Sequence, residues 1–213
     1  MYVIFDPHGK IGRLDLIISC LGAGELIVSV GDLGWGFTKI PQFPQNFKSL
    51  RGNHDSPNEA WNHPNYIGDY GYFVPNEKHV YRDTNPPFFF VSGAASIDIA
   101  YRKAGRDWWY NEELSIESFD RCVELYRKIK PDIVITHDAP RSAYPSLGID
   151  KIFQDVSHRT IDYLNRMLNI HQPTWWIFGH HHKRFVGKIE GCETTFVCGD
   201  ELDAWNTVKQ EFV

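Results

Sequence analysis

The chain of 213 residues is 42% hydrophobic and 23% charged with a net charge of −5, ordinary globular values that exclude a disordered chain and a membrane-embedded one. A chain this long can bury roughly 70% of its unfolded surface in one core, so residues 1–213 are expected to form a single domain. The acidic balance gives no basic field for long nucleic acid or anionic lipid. Cys20, Cys122, Cys192 and Cys198 lack the close pairing of a zinc knuckle or redox motif, so reduced thiols are expected. The start, Met1-Tyr2-Val3-Ile4-Phe5-Asp6, has neither the basic region nor the apolar length of a signal peptide, and no segment has the apolar length of a membrane span, which gives a cytoplasmic expectation.

In chain order, residues 2–5 form a short apolar run that stops at Asp6-Pro7-His8-Gly9, as a buried strand feeding a polar loop would. Residues 11–21 place Ile11, Leu14, Ile17, Ile18 and Leu21 at helical spacing. Residues 25–30 and 47–51 repeat the strand pattern and run into Gly31-Asp32 and Gly52-Asn53-His54-Asp55. From about residue 57 to 111 the chain is rich in Asn, Pro, Gly and Tyr and is expected to be mostly loop, with one strand at 88–91. Residues 114–129 carry Ile116, Phe119, Val123 and Tyr126 on one helical stripe, stopped by Pro131. The strand at 133–135 then ends in Thr136-His137-Asp138. A helix over 156–168 and a strand over 175–178 lead to Gly179-His180-His181-His182. The remainder alternates short strands at 185–189, 194–197 and 205–209 with turns at Gly191 and Gly199-Asp200. Such βα units followed by strands indicate an α/β or α+β sandwich with its function on loops at strand ends.

Five strand ends therefore deliver oxygen and nitrogen ligands and no thiol: Asp6 and His8, Asp32, Asn53 and His54, His137, and His180 and His182. Such a set suits first-row divalent ions of intermediate hardness. With His54 set aside, the rest are still too many for one ion, and two ions sharing a bridging carboxylate account for the number. Alternation along an extended segment would turn His181 away from its neighbours. His63, His79, His158 and His171 fall outside these blocks and are expected on surface loops or helix ends. Gly9, Gly31, Gly52 and Gly179 read as residues for tight turns and close backbone approach.

These blocks, in this order, resemble the calcineurin-like metallophosphoesterase superfamily, whose pattern is D-x-H, G-D, G-N-H-[DE], a further His after a strand, and G-H-x-H. The resemblance runs from residue 6 to 182 and implies a β-sandwich flanked by α-helices. It assigns Asp6, His8 and His182 to one metal and Asn53, His137 and His180 to the other, with Asp32 bridging. It also implies that His54 protonates the leaving oxygen or stabilises phosphoryl charge, with Asp55 as its orienting partner. The implied cofactors are two divalent ions, manganese first, with iron, zinc or nickel as alternatives. The implied reaction is hydrolysis of a phosphate mono- or diester by a metal-bound hydroxide. A nuclease or cyclic-nucleotide phosphodiesterase would use the same chemistry, and nucleotides or short oligonucleotides are the polymers the acidic charge permits. A non-catalytic binding protein on this fold would show replaced metal ligands, and none is replaced.

The branch that acts on phosphoserine and phosphothreonine follows its Gly-Asp with Asp-Arg-Gly, where this chain has Leu33-Gly34-Trp35-Gly36. The stretch Ser96-Ile97-Asp98 through Trp108-Trp109 looks like one found in small phage and bacterial members of the superfamily. Within it, Arg102, Arg106 and Trp108 are the substrate-binding candidates, through phosphate contact and base stacking.

Overall fold

Alternation along the strands decides the architecture. In β1 (Tyr2–Ile4), Val3 packs into one apolar cluster and Ile4 into another, and in β2 (Ile27–Ser29) Ile27 joins Ile4 while Val28 joins Val3. The same division runs through β5 (Phe88–Val91), where Phe88 and Phe90 face one way and Phe89 and Val91 the other. Both faces of each strand are apolar because both sides of each sheet are covered.

The computed structural model of the chain describes residues 1–22, 24–75, 85–149 and 158–213. Five strands form one sheet in the order β11 (Glu211–Phe212), β10 (Ala204–Asn206), β1, β2, β3 (Phe47–Ser49). Six form the other in the order β4 (Tyr70–Phe73), β5, β6 (Ile133–Thr136), β7 (Trp175–Phe178), β9 (Thr195–Cys198), β8 (Phe185–Lys188). Val3, Phe5, Val28, Val30, Phe88, Ile135, Ile177 and Val197 fill the space between the sheets. The outer face of the first sheet is covered by α1 (Ile11–Leu21) and α2 (Pro57–Trp61) through Leu14, Ile18 and Ala60. The second is covered by α3 (Ile116–Ile129) and α4 (Arg159–Ile170) through Phe119, Val123, Ile161 and Leu164. The fold is thus the expected α/β sandwich with flanking helices. Among the described residues no helix is long and apolar enough to cross a membrane.

Within the sheets β1, β2 and β3 are parallel, as are β5, β6, β7 and β9. Parallel strands present their carboxyl ends to the same edge, where loops collect into a ligand-binding crevice. Every block of ligand candidates follows one of these parallel strands.

The structure corrects several boundaries. The stretch expected to be mostly loop contains α2, entered through Ser56 with Pro57 at its first turn, and β4, an edge strand antiparallel to β5. A helix this short and a strand reading Tyr-Gly-Tyr-Phe lack the periodicity that would reveal them. The strand expected over 205–209 ends at Asn206, whose side-chain oxygen accepts the N–H groups of Val208 and Lys209 and turns the chain into β11. The helix expected from 156 begins at Arg159, and residues 156 and 157, like His79, lie outside the described residues.

Helix α3 is delimited as its sequence indicates. Ser115 accepts the N–H of Ser118 at its start, and Lys130 ends it in the left-handed region at φ 48°, just before Pro131. A side chain in that conformation costs about 1–2 kcal/mol that glycine avoids, part of which glycine gives back as unfolded-state entropy. The substitution Lys130→Gly should therefore raise stability by about 0.5–1 kcal/mol, seen as a higher urea midpoint with an unchanged m-value.

Candidate metal centre and active site

Asp6 and Asp32 follow β1 and β2 and are essentially without solvent contact. Asp32 Oδ1 accepts the backbone N–H of His54 at 2.9 Å, while its Oδ2 lies 3.7 Å from His8 Nε2 and 3.5 Å from His137 Nε2. One oxygen of one carboxylate therefore stands between ring nitrogens from two different loops. On one side of it His8 Nε2 meets His182 Nε2 at 2.9 Å. On the other, Asn53 Oδ1 lies 3.1 Å from both His137 Nε2 and His180 Nδ1. Asp6 Oδ2 accepts the N–H of His180, and its Oδ1 is a buried acceptor with no hydrogen-bond partner among the described residues. All seven metal-ligand candidates read from the sequence thus converge.

Backbone contacts set which atoms face the centre. His137 Nδ1 lies 3.1 Å from the carbonyl of Val30, which can only accept, so Nδ1 carries a proton and Nε2 is the ring atom turned to Asn53 and Asp32. The Asn53 amide donates to Ser96 Oγ at 3.0 Å, and Ser96 in turn gives its hydroxyl and its N–H to Glu112 at 2.6 and 2.7 Å. That relay turns Asn53 Oδ1 toward the two imidazoles. The packing admits no side chain at two glycines: a Cβ at Gly52 would fall on Asp32 Oδ1, and one at Gly179 would sit 2.5 Å from both Asp6 oxygens.

Asp6, His8, Asp32, His180 and His182 all adopt positive φ, between 39° and 66°. Non-glycine residues rarely do so, and such backbone strain gathers at functional sites. Burial pushes the Asp6 carboxyl up to about 8, with Asp32 adding to the rise. Burial also opposes ionisation of Asp32, but His137, His54 and His8 outweigh it and hold that carboxyl well below its ordinary range. His137, in spite of burial, is raised to about 9 by Asp32 and Asp6, whereas burial lowers His8 to about 4. An orphaned carboxylate oxygen, a second buried aspartate and the ring nitrogens turned toward them form a cluster of oxygen and nitrogen donors that divalent cations would satisfy.

His54 stands in the cleft beside these groups, with its ring nitrogens 3.0 and 3.3 Å from the Arg102 guanidinium, which Asp98 holds at 2.6 Å. Burial and then Arg102 lower the His54 pKa, against the pull of Asp32. Asp55, expected to orient His54, has another task. Its carboxylate accepts the N–H groups of Leu33, Gly34, Trp35 and Gly52 between 2.7 and 3.1 Å and locks the loop after β2 to the loop after β3. Of the other candidates, Arg102 faces the cleft, whereas Arg106 is two-thirds exposed, pairs with Asp107 and borders a neighbouring groove with His8 and His54. Trp108 turns its ring to Tyr110, 4.5 Å away.

His181 is not turned away as alternation predicts: its ring lies 5.0 Å from that of His180 and borders the same cleft. The segment is bent at His180 and His182, and His181 Nε2 meets Asp138 Oδ1 at 3.1 Å, where the Tyr144 hydroxyl also donates. His63 bonds the carbonyl of Pro41 and His171 that of Pro131, as residues of loops and helix ends.

Sequence reasoning missed Ser96, Glu112 and Glu201. Glu201 pairs with Lys10 and lies 3.7 Å from His182 Nδ1. It follows the parallel strand β9 through Gly199-Asp200, so the signal that marks the other blocks is present there as well.

Comparison with known proteins agrees with this geometry. The model of the calcineurin-like phosphoesterase family matches residues 2–184. No curated protein matches the chain significantly. A solved candidate 5′-nucleotidase of Staphylococcus aureus is similar with 13% identity and a TM-score of 0.53, covering 99% of this chain and 51% of its own, so this chain spans about half its length. GAP50, the anchor in the inner membrane complex of Plasmodium, is similar with 14% identity and a TM-score of 0.50 over 94% of this chain and 71% of its own. Identities this low concern the fold, but the family match spans most of the chain and takes in every block of ligand candidates. With both sheets, the convergent loops and their oxygen and nitrogen ligands in place, the chain belongs to the calcineurin-like phosphoesterase family.

Proposed function

We propose that this chain hydrolyses a phosphate mono- or diester at two divalent ions, held by Asp6, His8 and His182 on one side and Asn53, His137 and His180 on the other, with Asp32 shared. The observation that carries this reading is the position of Asp32 Oδ2, 3.7 Å from His8 Nε2 and 3.5 Å from His137 Nε2. When bound, such ions supply Lewis acidity that polarises a phosphoryl group and brings water close to ionisation at neutral pH. Manganese is the ion to test first, with iron, zinc and nickel compatible with the same thiol-free set. Residues 1–213 act here as one catalytic domain, since His8 and His182 lie far apart in the chain and meet at 2.9 Å.

The other residues supply binding and proton transfer. Arg102 offers a guanidinium on the cleft side of His54 and suits a phosphate oxygen. An arriving phosphate adds negative charge opposite Arg102 and favours the protonated His54 ring. His54 then gives its proton to the oxygen that leaves. Nuclease and cyclic-nucleotide readings use the same residues, and a screen of aryl mono- and diesters, nucleotides, cyclic nucleotides and oligonucleotides with added Mn²⁺ separates them. No turnover of any of these in metal-loaded protein would overturn the hydrolytic reading.

Removing the shared carboxylate should abolish the centre. Elemental analysis after loading is expected to give two ions per chain for the wild type and almost none for Asp32→Ala, with activity lost in parallel. One ion in the wild type would refute the shared-carboxylate arrangement.

The orientation of the Asn53 amide should matter separately from its presence. Outer-shell partners of metal ligands are typically worth about 10–100-fold in affinity. Ser96→Ala should weaken metal binding by that factor in a competition titration, and Ser96→Thr, which keeps the hydroxyl, should recover most of it.

Loss of a general acid costs about 10²–10⁴-fold, and most where the leaving group is a poor one. His54→Ala should therefore lose that much kcat/KM on alkyl or nucleoside esters, lose far less on p-nitrophenyl esters, and keep its metal content. Equal losses on both classes would make His54 a stabiliser of phosphoryl charge instead.

A further inference from the structure

The loop after β9 carries a carboxylate, Glu201, to the same edge as the metal-ligand candidates, and the hydrolytic chemistry gives it no part. That loop is pinned to the end of β1: the Leu202 N–H donates to the Phe5 carbonyl at 2.7 Å, and the Phe5 N–H donates to the Asp203 carbonyl at 3.1 Å. Glu201 immediately precedes these bonds, so its backbone is held beside the chain that runs into Asp6-Pro7-His8. Its two carboxylate oxygens are divided. Oε2 pairs with the ammonium of Lys10, two residues past His8, and Oε1 lies 3.7 Å from His182 Nδ1. The other nitrogen of that ring, Nε2, meets His8 Nε2 at 2.9 Å. The His182 ring therefore has one nitrogen toward the candidate centre and the other toward a carboxylate. A metal-ligating imidazole commonly donates its outer N–H to such a group, which fixes the tautomer, aims the ring and raises the basicity of the ligating nitrogen. Both side chains keep about a third of their surface in solvent, so a small rotation of either closes the 3.7 Å contact to a hydrogen bond.

We infer that Glu201 is a positioning residue for the ion on the Asp6, His8 and His182 side: it holds the His182 proton on Nδ1 and turns Nε2 to the metal, while Lys10 keeps the carboxylate in place. The inference rests on the two-ion reading and adds an asymmetry to it. A carboxylate oxygen of Glu201 and ring nitrogens of His8 and His182 lie within 4.8 Å of one another, and both histidines belong to the same ion's set. Loss of Glu201 should therefore be felt by one ion and not by the other.

A competition titration with Mn²⁺ should show Glu201→Ala binding one ion about 10–100-fold more weakly than the wild type while the other keeps its affinity. Unchanged affinity, or equal weakening of both ions, would overturn the inference. Glu201→Gln retains an acceptor oxygen without the charge and should recover most of the loss; a Gln variant as weak as the Ala one would make Glu201 a metal ligand and not a positioning residue. The charge swap Lys10→Glu with Glu201→Lys restores the ion pair but sets a cation against His182, so it should leave that ion weak. Full recovery in the swap would reduce the pair to a tie between loops, which at an exposed position is worth little. ¹⁵N spectra of the metal-free protein should place the His182 proton on Nδ1 in the wild type and show mixed tautomers in Glu201→Ala, and the same mixture in both would count against the role. The number of ions bound by the wild type, read in the same titration, reports on the two-ion reading alone. A single ion that Glu201→Ala still weakens would refute that reading and leave the role of Glu201 standing.

Discussion

Two carboxylates without solvent, Asp6 and Asp32, lie at the edge where the parallel strands of both sheets end, and much of the surrounding structure compensates for them. Burying an ionised group is expensive unless it is paired, hydrogen-bonded or bound to a cation. Backbone N–H groups of His180 and His54 each take one oxygen, and His137 stands between the two aspartates, yet Asp6 Oδ1 accepts no hydrogen bond among the described residues. The residual demand is for positive charge at a place lined by imidazole nitrogens and an amide oxygen. Divalent metal ions would answer that demand, and the shifts of Asp6, His8 and His137 in different directions show how strongly these groups act on one another.

The sandwich serves this electrostatic problem by supplying direction. Parallel strands bring loop after loop to one edge, so residues from opposite ends of the chain meet without a long reach. Glycines at the strand ends let backbone come up against the carboxylates, and Asp55 ties two of the loops together through four N–H groups. The preorganisation therefore lies in covalent and backbone geometry more than in side-chain packing, which suits a centre whose ligands must hold their places as charge changes.

Much of this was legible in the sequence because the strands are short and end abruptly in polar residues. Asp6, Asp32, His137 and His180 could be recognised from their position after an apolar run, and the sandwich from the recurrence of that pattern. Ser96 and Glu112 could not, because nothing in their own neighbourhoods marks them. Their part exists only through a relay to Asn53 made across the fold. Asp55 shows the opposite error: its place beside His54 suggested a partnership that the folded backbone replaces with hydrogen bonds to another loop. His181 was set apart for a reason that does not hold, since the turn at His180 breaks the extended geometry on which alternation depends. The short helix α2 and the edge strand β4 were hidden by the absence of a periodic pattern.

The left-handed backbone at Asp6, His8, Asp32, His180 and His182 has an evolutionary corollary. Glycine would take up the backbone at each of these positions without strain, so relief of that strain and loss of a ligand candidate go together. Selection for thermal endurance alone would drift through these sites and erase the metal centre while the sandwich remained intact. A lineage freed from its catalytic duty has an easy downhill path to a sturdier, inert scaffold, and a lineage that keeps its ligands must find its robustness elsewhere, in the helices and the sheet core.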